Sequence, residues 1–248
     1  MSKKKMSLVT KIMIGLILGI IVGLFFVSAP KIATTYIQPI GTLFLNLIKM
    51  TIVPLVFASL VVGAASIGDV KKLGRIGGKT MIYFFATTAI AILIGLVVAN
   101  IFKPGVGVQL VQGAKPKATE APSIVQTLLD IVPTNPVDAL AKGNMLQIIF
   151  FALFTGVGAT FIGEKGQAYL KFCDSLAEIM YKITEIIMNL APYGVFALIV
   201  PVIATNGPKV LLPLAKLILV CYLGFILHAI IAYSFSVRAF SKISPKEF

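Results

Sequence analysis

Acidic charge is scarce in this sequence: 9 Asp and Glu stand against 22 Lys and Arg in 248 residues. Charge of either sign makes up only 12% of the chain while apolar residues make up 58%, against about a quarter charged in a soluble domain. The mean hydropathy is +1.00. Such a composition excludes both disorder and an ordinary cytosolic globule. The net charge of +13 does not point to nucleic acid, because that requires a basic face on a folded domain. Here the cations fall between apolar blocks, as they do in membrane loops. Histidine occurs once and cysteine twice. Cys173 and Cys221 lie far apart, in or beside apolar stretches, so neither a disulfide framework nor a metal spacing follows from them. Motifs of catalysis are missing too: no Gly-x-Ser-x-Gly elbow, no phosphate loop, no His-Glu pair at metal spacing. An enzyme is not expected, and neither catalytic residues, a metal centre nor an organic cofactor. What remains is an all-α polytopic membrane protein.

Six stretches are long and apolar enough to cross roughly 30 Å of hydrocarbon as helices. They cover 12–30, 50–68, 80–102, 144–163, 186–208 and 217–237. The runs are continuously apolar rather than alternating, which favours helices over barrel strands. Lys3-Lys4-Lys5 before the first run has the look of a signal peptide, but the run outlasts a normal h-region. It is read as a retained span. Fourteen Lys and Arg fall on the side of the N-terminus and seven on the other, with Lys49 uncounted. That bias predicts a multi-pass protein of the cell membrane with both termini in the cytoplasm.

Two segments exceed a simple span. From Ile32 to Gly68 the only charge is Lys49, and 37 helical residues reach about 55 Å. Such a segment tilts, breaks or projects, with Pro39 and Pro54 as the expected break points. Before the fifth span, Lys171, Asp174, Glu178, Lys182 and Glu185 form one charged stripe, an amphipathic helix running up to the membrane in which Glu178 and Lys182 have the favourable i,i+4 order. In the long loop 103–143, residues 105–122 read as flexible. The apolar part around Asp130-Ile131-Val132-Pro133-Thr134-Asn135-Pro136 is expected at the interface or against the bundle. No repeat at a fixed spacing emerges.

Chemistry is confined to few side chains. Lys49 lies in an apolar segment between Asn46 and Thr51, where an ammonium is costly. It either snorkels to an interface or serves at a water-lined or domain interface. His228, in the sixth span, is a proton-relay candidate or a simple interhelical hydrogen bonder. No span core contains Asp or Glu. Neutral ligands leave a bound cation's charge uncompensated, so these residues supply part of a coupling site at most.

Several stretches resemble the dicarboxylate/amino acid:cation symporter family, which includes the glutamate/aspartate transporters. They are Leu47-Ile48-Lys49-Met50-Thr51-Ile52-Val53-Pro54-Leu55-Val56-Phe57, Gly63-Ala64-Ala65-Ser66-Ile67-Gly68-Asp69, Asp130 to Pro136, and Ala191-Pro192-Tyr193-Gly194-Val195-Phe196-Ala197. The resemblance implies a homotrimeric, elevator-type secondary transporter built on inverted repeats. Helices one and two (1–68) and four and five (144–208) would form a scaffold. Helix three (69–102) and helix six with its cytoplasmic linker (209–248) would belong to a moving transport domain, and 103–143 would be extracellular. The family's third helix contributes hydroxyls to a sodium site in a Tyr-x-x-Thr-Ser/Thr arrangement. That implies Thr87 and Thr88 as partial cation ligands, with Phe84 where the tyrosine belongs and Tyr83 adjacent. The lost hydroxyl leaves both Na⁺ and H⁺ open as the coupling ion. Two threonines bonding back to the preceding turn are the alternative.

The residues from Arg238 to Phe248 resemble the linker into the family's first re-entrant hairpin, and the later family motifs are not in the sequence. The expectation is therefore an N-terminal portion, inactive alone. The whole protein would be a Na⁺- or H⁺-coupled symporter of an acidic amino acid or dicarboxylate, working in the lipid bilayer. A neutral (Ser/Thr) amino acid symporter and a non-transporting oligomeric scaffold are the alternatives, and nucleic acid is not an expected partner.

Overall fold

The computed structural model describes residues 6–66, 70–105, 123–240 and 244. Every regular element among them is helical. The helices are α1 (Leu8–Phe25), α2 (Pro30–Ser66), α3 (Val70–Phe102), α4 (Ile124–Leu129), α5 (Pro136–Lys142), α6 (Met145–Phe161), α7 (Gln167–Met188), α8 (Ala191–Asn206) and α9 (Pro208–Ala239). Of the six expected spans, α1, α2, α3 and α9 are long and apolar enough to cross a membrane, and the bent pair α7–α8 makes a fifth. The remaining one, α6, is apolar but has only 17 residues. Residues 106–122, most of the segment read as flexible, and residues 241–243 and 245–248 of the C-terminal linker lie outside the described residues.

The chain divides into two compact units, Met1–Leu73 with Lys117–Gly207, and Gly74–Pro116 with Pro208–Phe248. In the first unit α1 packs along α8, and α2 packs against α6, α7 and α8. Its core is made largely of small residues: Ala58, Val61, Ala152, Cys173 and Ala177 meet in one cluster, and Ala33, Val200 and Ala204 in another. Large side chains such as Phe25, Tyr36, Leu43 and Phe154 point outward instead. Lipid is as apolar as leucine, so helices associate there by close packing and not by expelling water. Glycine gives the closest approach. Gly15, Gly19 and Gly23, one turn apart on α1, are buried and face the backbone of Pro192, Phe196 and Val200. A Cβ on Gly23 would stand 2.7 Å from Ile203 Cβ and 3.0 Å from Val200 O. Gly156 of α6 faces Val61 of α2 in the same way, and Gly194 faces the Phe44 ring.

Neither proline ends α2. Pro54 is carried inside the helix. Before Pro39 the helix widens into a π-turn at Ala33–Ile37, where the Gln38 N–H reaches back to Ala33 O. An unpaired backbone group is expensive in lipid, so the chain rearranges its hydrogen bonds locally and stays helical. The break comes in the fifth span instead. Between α7 and α8 the axis turns by 57°. Pro192 in the first turn of α8 has no N–H for the Met188 carbonyl, which ends α7 there.

The charged stripe on α7 is exposed, as its spacing demands. Its ion pair differs from the expected one: Lys182 binds Glu185 at 2.8 Å, leaving Glu178 aside. In the loop, Asn135 caps α5 by accepting from the N–H groups of Val137 and Asp138. Pro136 occupies the first turn, where its missing donor costs nothing, and Gly143 closes α5 in the left-handed conformation at φ 68°. This short helix packs on α6, and Gln147 Nε2 donates to Asp130 O at 2.9 Å. The loop is thus held against the bundle at this point.

In the second unit, the described side chains of α3 and α9 that are buried are few, Val98, Val220 and Ala232 among the apolar ones. Most of their apolar side chains, among them Leu93, Leu96, Leu219 and Phe225, are exposed.

Two outcomes test this packing. Gly19→Leu is expected to destabilise the purified protein by about 1–3 kcal/mol through overpacking, read as a lower thermal midpoint in mild detergent. Gly158→Ala, where nothing lies within 4 Å, should leave the midpoint unchanged or slightly raised. Asn135→Ala should cost about 1 kcal/mol, seen as faster amide exchange at Val137 and Asp138 with little change elsewhere.

Candidate functional site

Residues three, four and seven apart share one face of a helix. On α3 this rule aligns Thr80, Tyr83, Phe84, Thr87, Thr88, Ala91 and Ile92. They form one wall of a groove of about 600 Å³ whose other lining residues are His228 and Tyr233 of α9. All four cation-site residues implied by the resemblance therefore lie together in one concavity of the second unit. Lys49 belongs to the first unit. It is exposed on α2 and has no ion pair among the described residues. One turn before it, Asn46 lines a shallow groove together with Thr34, Gln38, Pro39, Thr42 and Leu43.

The Thr87 hydroxyl donates back to the carbonyls of Tyr83 at 3.0 Å and Phe84 at 3.1 Å. This is how a threonine satisfies its proton within a span. Threonines elsewhere in the chain do the same, Thr155 toward Phe151 and Ala152 among them. The bond does not disqualify Thr87 as a ligand. With its hydrogen turned to the backbone, the oxygen keeps a lone pair for an incoming cation. Hard cations take oxygen ligands, hydroxyls and carbonyls included, and Thr88 adds a second hydroxyl to the groove. Tyr83 is 39% exposed and Phe84 61% exposed, so the phenol next to the missing family tyrosine also lies at the groove.

The groove's lining contains no carboxylate. Among the described residues no group of three or more His, Cys, Asp or Glu is placed to hold a metal ion. A cation in this groove would meet hydroxyl oxygens and the His228 imidazole but no carboxylate. A cation held there would need its compensating charge from another group.

His228 and Tyr233 were outside the set that the resemblance implied. His228 Nδ1 is buried and has no hydrogen-bond partner among the described residues. Its ring meets Tyr233 edge-on, with centroids 5.2 Å apart and planes at 76°. Residues five apart point to different sides of an α-helix. Here the π-turn Ala229–Tyr233, closed by the Ser234 N–H bonding to Ala229 O, widens the helix between them. The histidine carried a signal in the sequence as the chain's one histidine, placed inside the sixth span. Tyr233 carried none, because its approach depends on a local change of helical period.

Comparison with known proteins fits this geometry. The model of the sodium:dicarboxylate symporter family matches residues 8–248. A proton/sodium-glutamate symport protein of Geobacillus stearothermophilus is 50% identical over 228 residues, covering 88% of this chain and 54% of that protein. A proton/glutamate-aspartate symporter of Escherichia coli (strain K12) is 39% identical over 254 residues, covering 96% and 58%. A C4-dicarboxylate transport protein of Bacillus subtilis (strain 168) is 37% identical over 233 residues, covering 91% and 54%. The chain spans about half the length of the curated relatives it matches. With several membrane-length apolar helices and a family match running nearly end to end, this multi-pass chain belongs to the sodium:dicarboxylate symporter family.

Proposed function

We propose that these residues form part of a secondary transporter that couples Na⁺ or H⁺ to uptake of an acidic amino acid or a C4-dicarboxylate by alternating access. The observation that carries this reading is the α3–α9 groove. It gathers Thr87, Thr88 and Tyr83 on one side and His228 on the other, in a chain of a symporter family. The relatives' names support acidic solutes and both coupling ions.

The groove suggests a physical basis for coupling. Threonine oxygens and backbone carbonyls replace part of a hard cation's water shell, but they leave its charge unbalanced. An anionic solute bound nearby supplies the missing charge, so each ligand strengthens the other's binding, and reciprocally. In a transporter of the relatives' length, further ligands complete the site.

The first unit is assigned as the scaffold and the second as a portion of the transport domain. Support comes from the division of the chain at Leu73 and Gly207, and from the contrast in packing. The first unit is locked by glycine contacts, whereas α3 and α9 bury few of their own side chains. Assembly as a homotrimer through the scaffold and cytoplasmic termini complete the proposal. The lysine bias of the loops supports that orientation.

The test uses a transporter of full family length carrying these residues. Thr87→Val and Thr88→Val should each raise the cation concentration for half-maximal glutamate or dicarboxylate uptake roughly tenfold, the loss expected for one hydrogen-bond-scale contact to a charge. Thr155→Val, in the first unit, should leave it unchanged. Uptake indifferent to both Na⁺ and pH would sink the reading.

A further inference from the structure

We propose that the first unit binds one anionic phospholipid in a groove between α1 and the α7–α8 bend. The inference is independent of the transport assignment. The groove measures about 530 Å³ and its lining is mostly apolar, with Lys11 and Asn189 as its polar side chains besides the Tyr193 phenol. Lys11 and Asn189 line it together with Met6 before the start of α1, and Ile14, Leu18, Tyr193 and Phe196 line the rest. Lys11, Ile14 and Leu18 are spaced three and four apart, so they run along one face of α1. The basic end thus leads into an apolar track parallel to the helix, matching a phosphate headgroup followed by an acyl chain. Gly15 is part of the floor, where its backbone rests directly against that of Pro192.

The charge at the basic end is uncommitted. Lys11 makes no ion pair among the described residues. The carboxylate of Glu185 on α7 is taken by Lys182. Asn189 spends one amide hydrogen on Glu185 O, which leaves its second hydrogen able to meet a phosphate oxygen. Tyr193 is 70% exposed, an amphipathic ring of the kind enriched at membrane interfaces. The sequence adds an independent sign: Lys3, Lys4, Lys5 and Lys11 precede the first span. A cluster of four or more basic residues at the edge of a span attracts anionic lipid. A zwitterionic lipid fits the apolar track equally well but gains less at the lysine, so the groove selects for net negative charge.

The experiment is native mass spectrometry of the purified chain, released from nanodiscs containing equal phosphatidylglycerol and phosphatidylcholine with matched acyl chains. One phosphatidylglycerol is expected to be retained in preference to phosphatidylcholine. Lys11→Gln should lower its retention roughly fivefold, the effect of about one surface lysine. Lys11→Arg should preserve retention and serves as the folding control. Lys31→Gln removes the same charge outside the groove and should change nothing. Leu18→Trp, which fills the apolar track, should reduce retention of both lipids. Equal retention of the two lipids by the unaltered chain would overturn the proposal. So would an equal loss in Lys31→Gln, which would indicate diffuse charge. Displacement of the lipid by millimolar inorganic phosphate would also overturn it, in favour of a free-phosphate site.

Discussion

Close approach between helix backbones is the constraint on which the first unit depends. Inside a membrane the contact between two helices gains nothing from expelling water, so it has to gain from dispersion, which fades within an ångström of separation. Gly15, Gly19 and Gly23 let α1 meet α8 at that range, and Gly156 does the same for α6 against α2. Side chains as large as Phe26 and Phe196 are accommodated at the margins of these contacts. The inverted distribution of size, small residues inside and large ones outside, follows directly. The bend before Pro192 has its own cause in the missing N–H, and the Pro192 carbonyl forms the surface against which Gly15 rests.

The second unit answers to a different need. Its helices keep polar atoms in a groove that an apolar environment would otherwise penalise. Thr87 manages this by sharing its proton with the preceding turn. His228 does not, and its Nδ1 stays buried without a partner among the described residues. A neutral, oxygen-rich wall facing an unsatisfied imidazole is poor architecture for a static bundle. Under the proposed function, such a surface is completed by a charged ligand.

The sequence made some of this legible and hid the rest, for physical reasons. The spans were visible because Asp, Glu, Lys and Arg are absent from them, and bilayer thickness converts that absence into length. Thr87, Thr88, Tyr83 and Phe84 were legible only through the resemblance to a family motif, whose spacing places them along one side of α3. Prolines were harder to read. Pro39 and Pro54 looked like breakers, yet the lipid phase penalises a broken backbone enough that a π-turn or a tolerated proline is the cheaper outcome. Pro192 looked like part of a span and bends it. The pairing of Lys182 with Glu185 instead of Glu178 was hidden because three-residue and four-residue partners are almost equidistant on a helix. The contact of His228 with Tyr233 was hidden because it exists only where the helical period changes.

The glycine face of α1 also has a meaning in time. Its partner α8 is not made until the chain has been synthesised through Asn206, after α2, α3, α6 and α7. A newly inserted α1 therefore waits in the bilayer with a bare, narrow stripe of backbone turned toward lipid. The stripe is sticky toward any small-residue helix that drifts past, yet too weakly apolar to have an affinity for lipid that protects it. Correct biogenesis depends on keeping that face unoccupied until the fifth span arrives. A helix added early by fusion, or a pause before residue 191, offers the stripe the wrong neighbour.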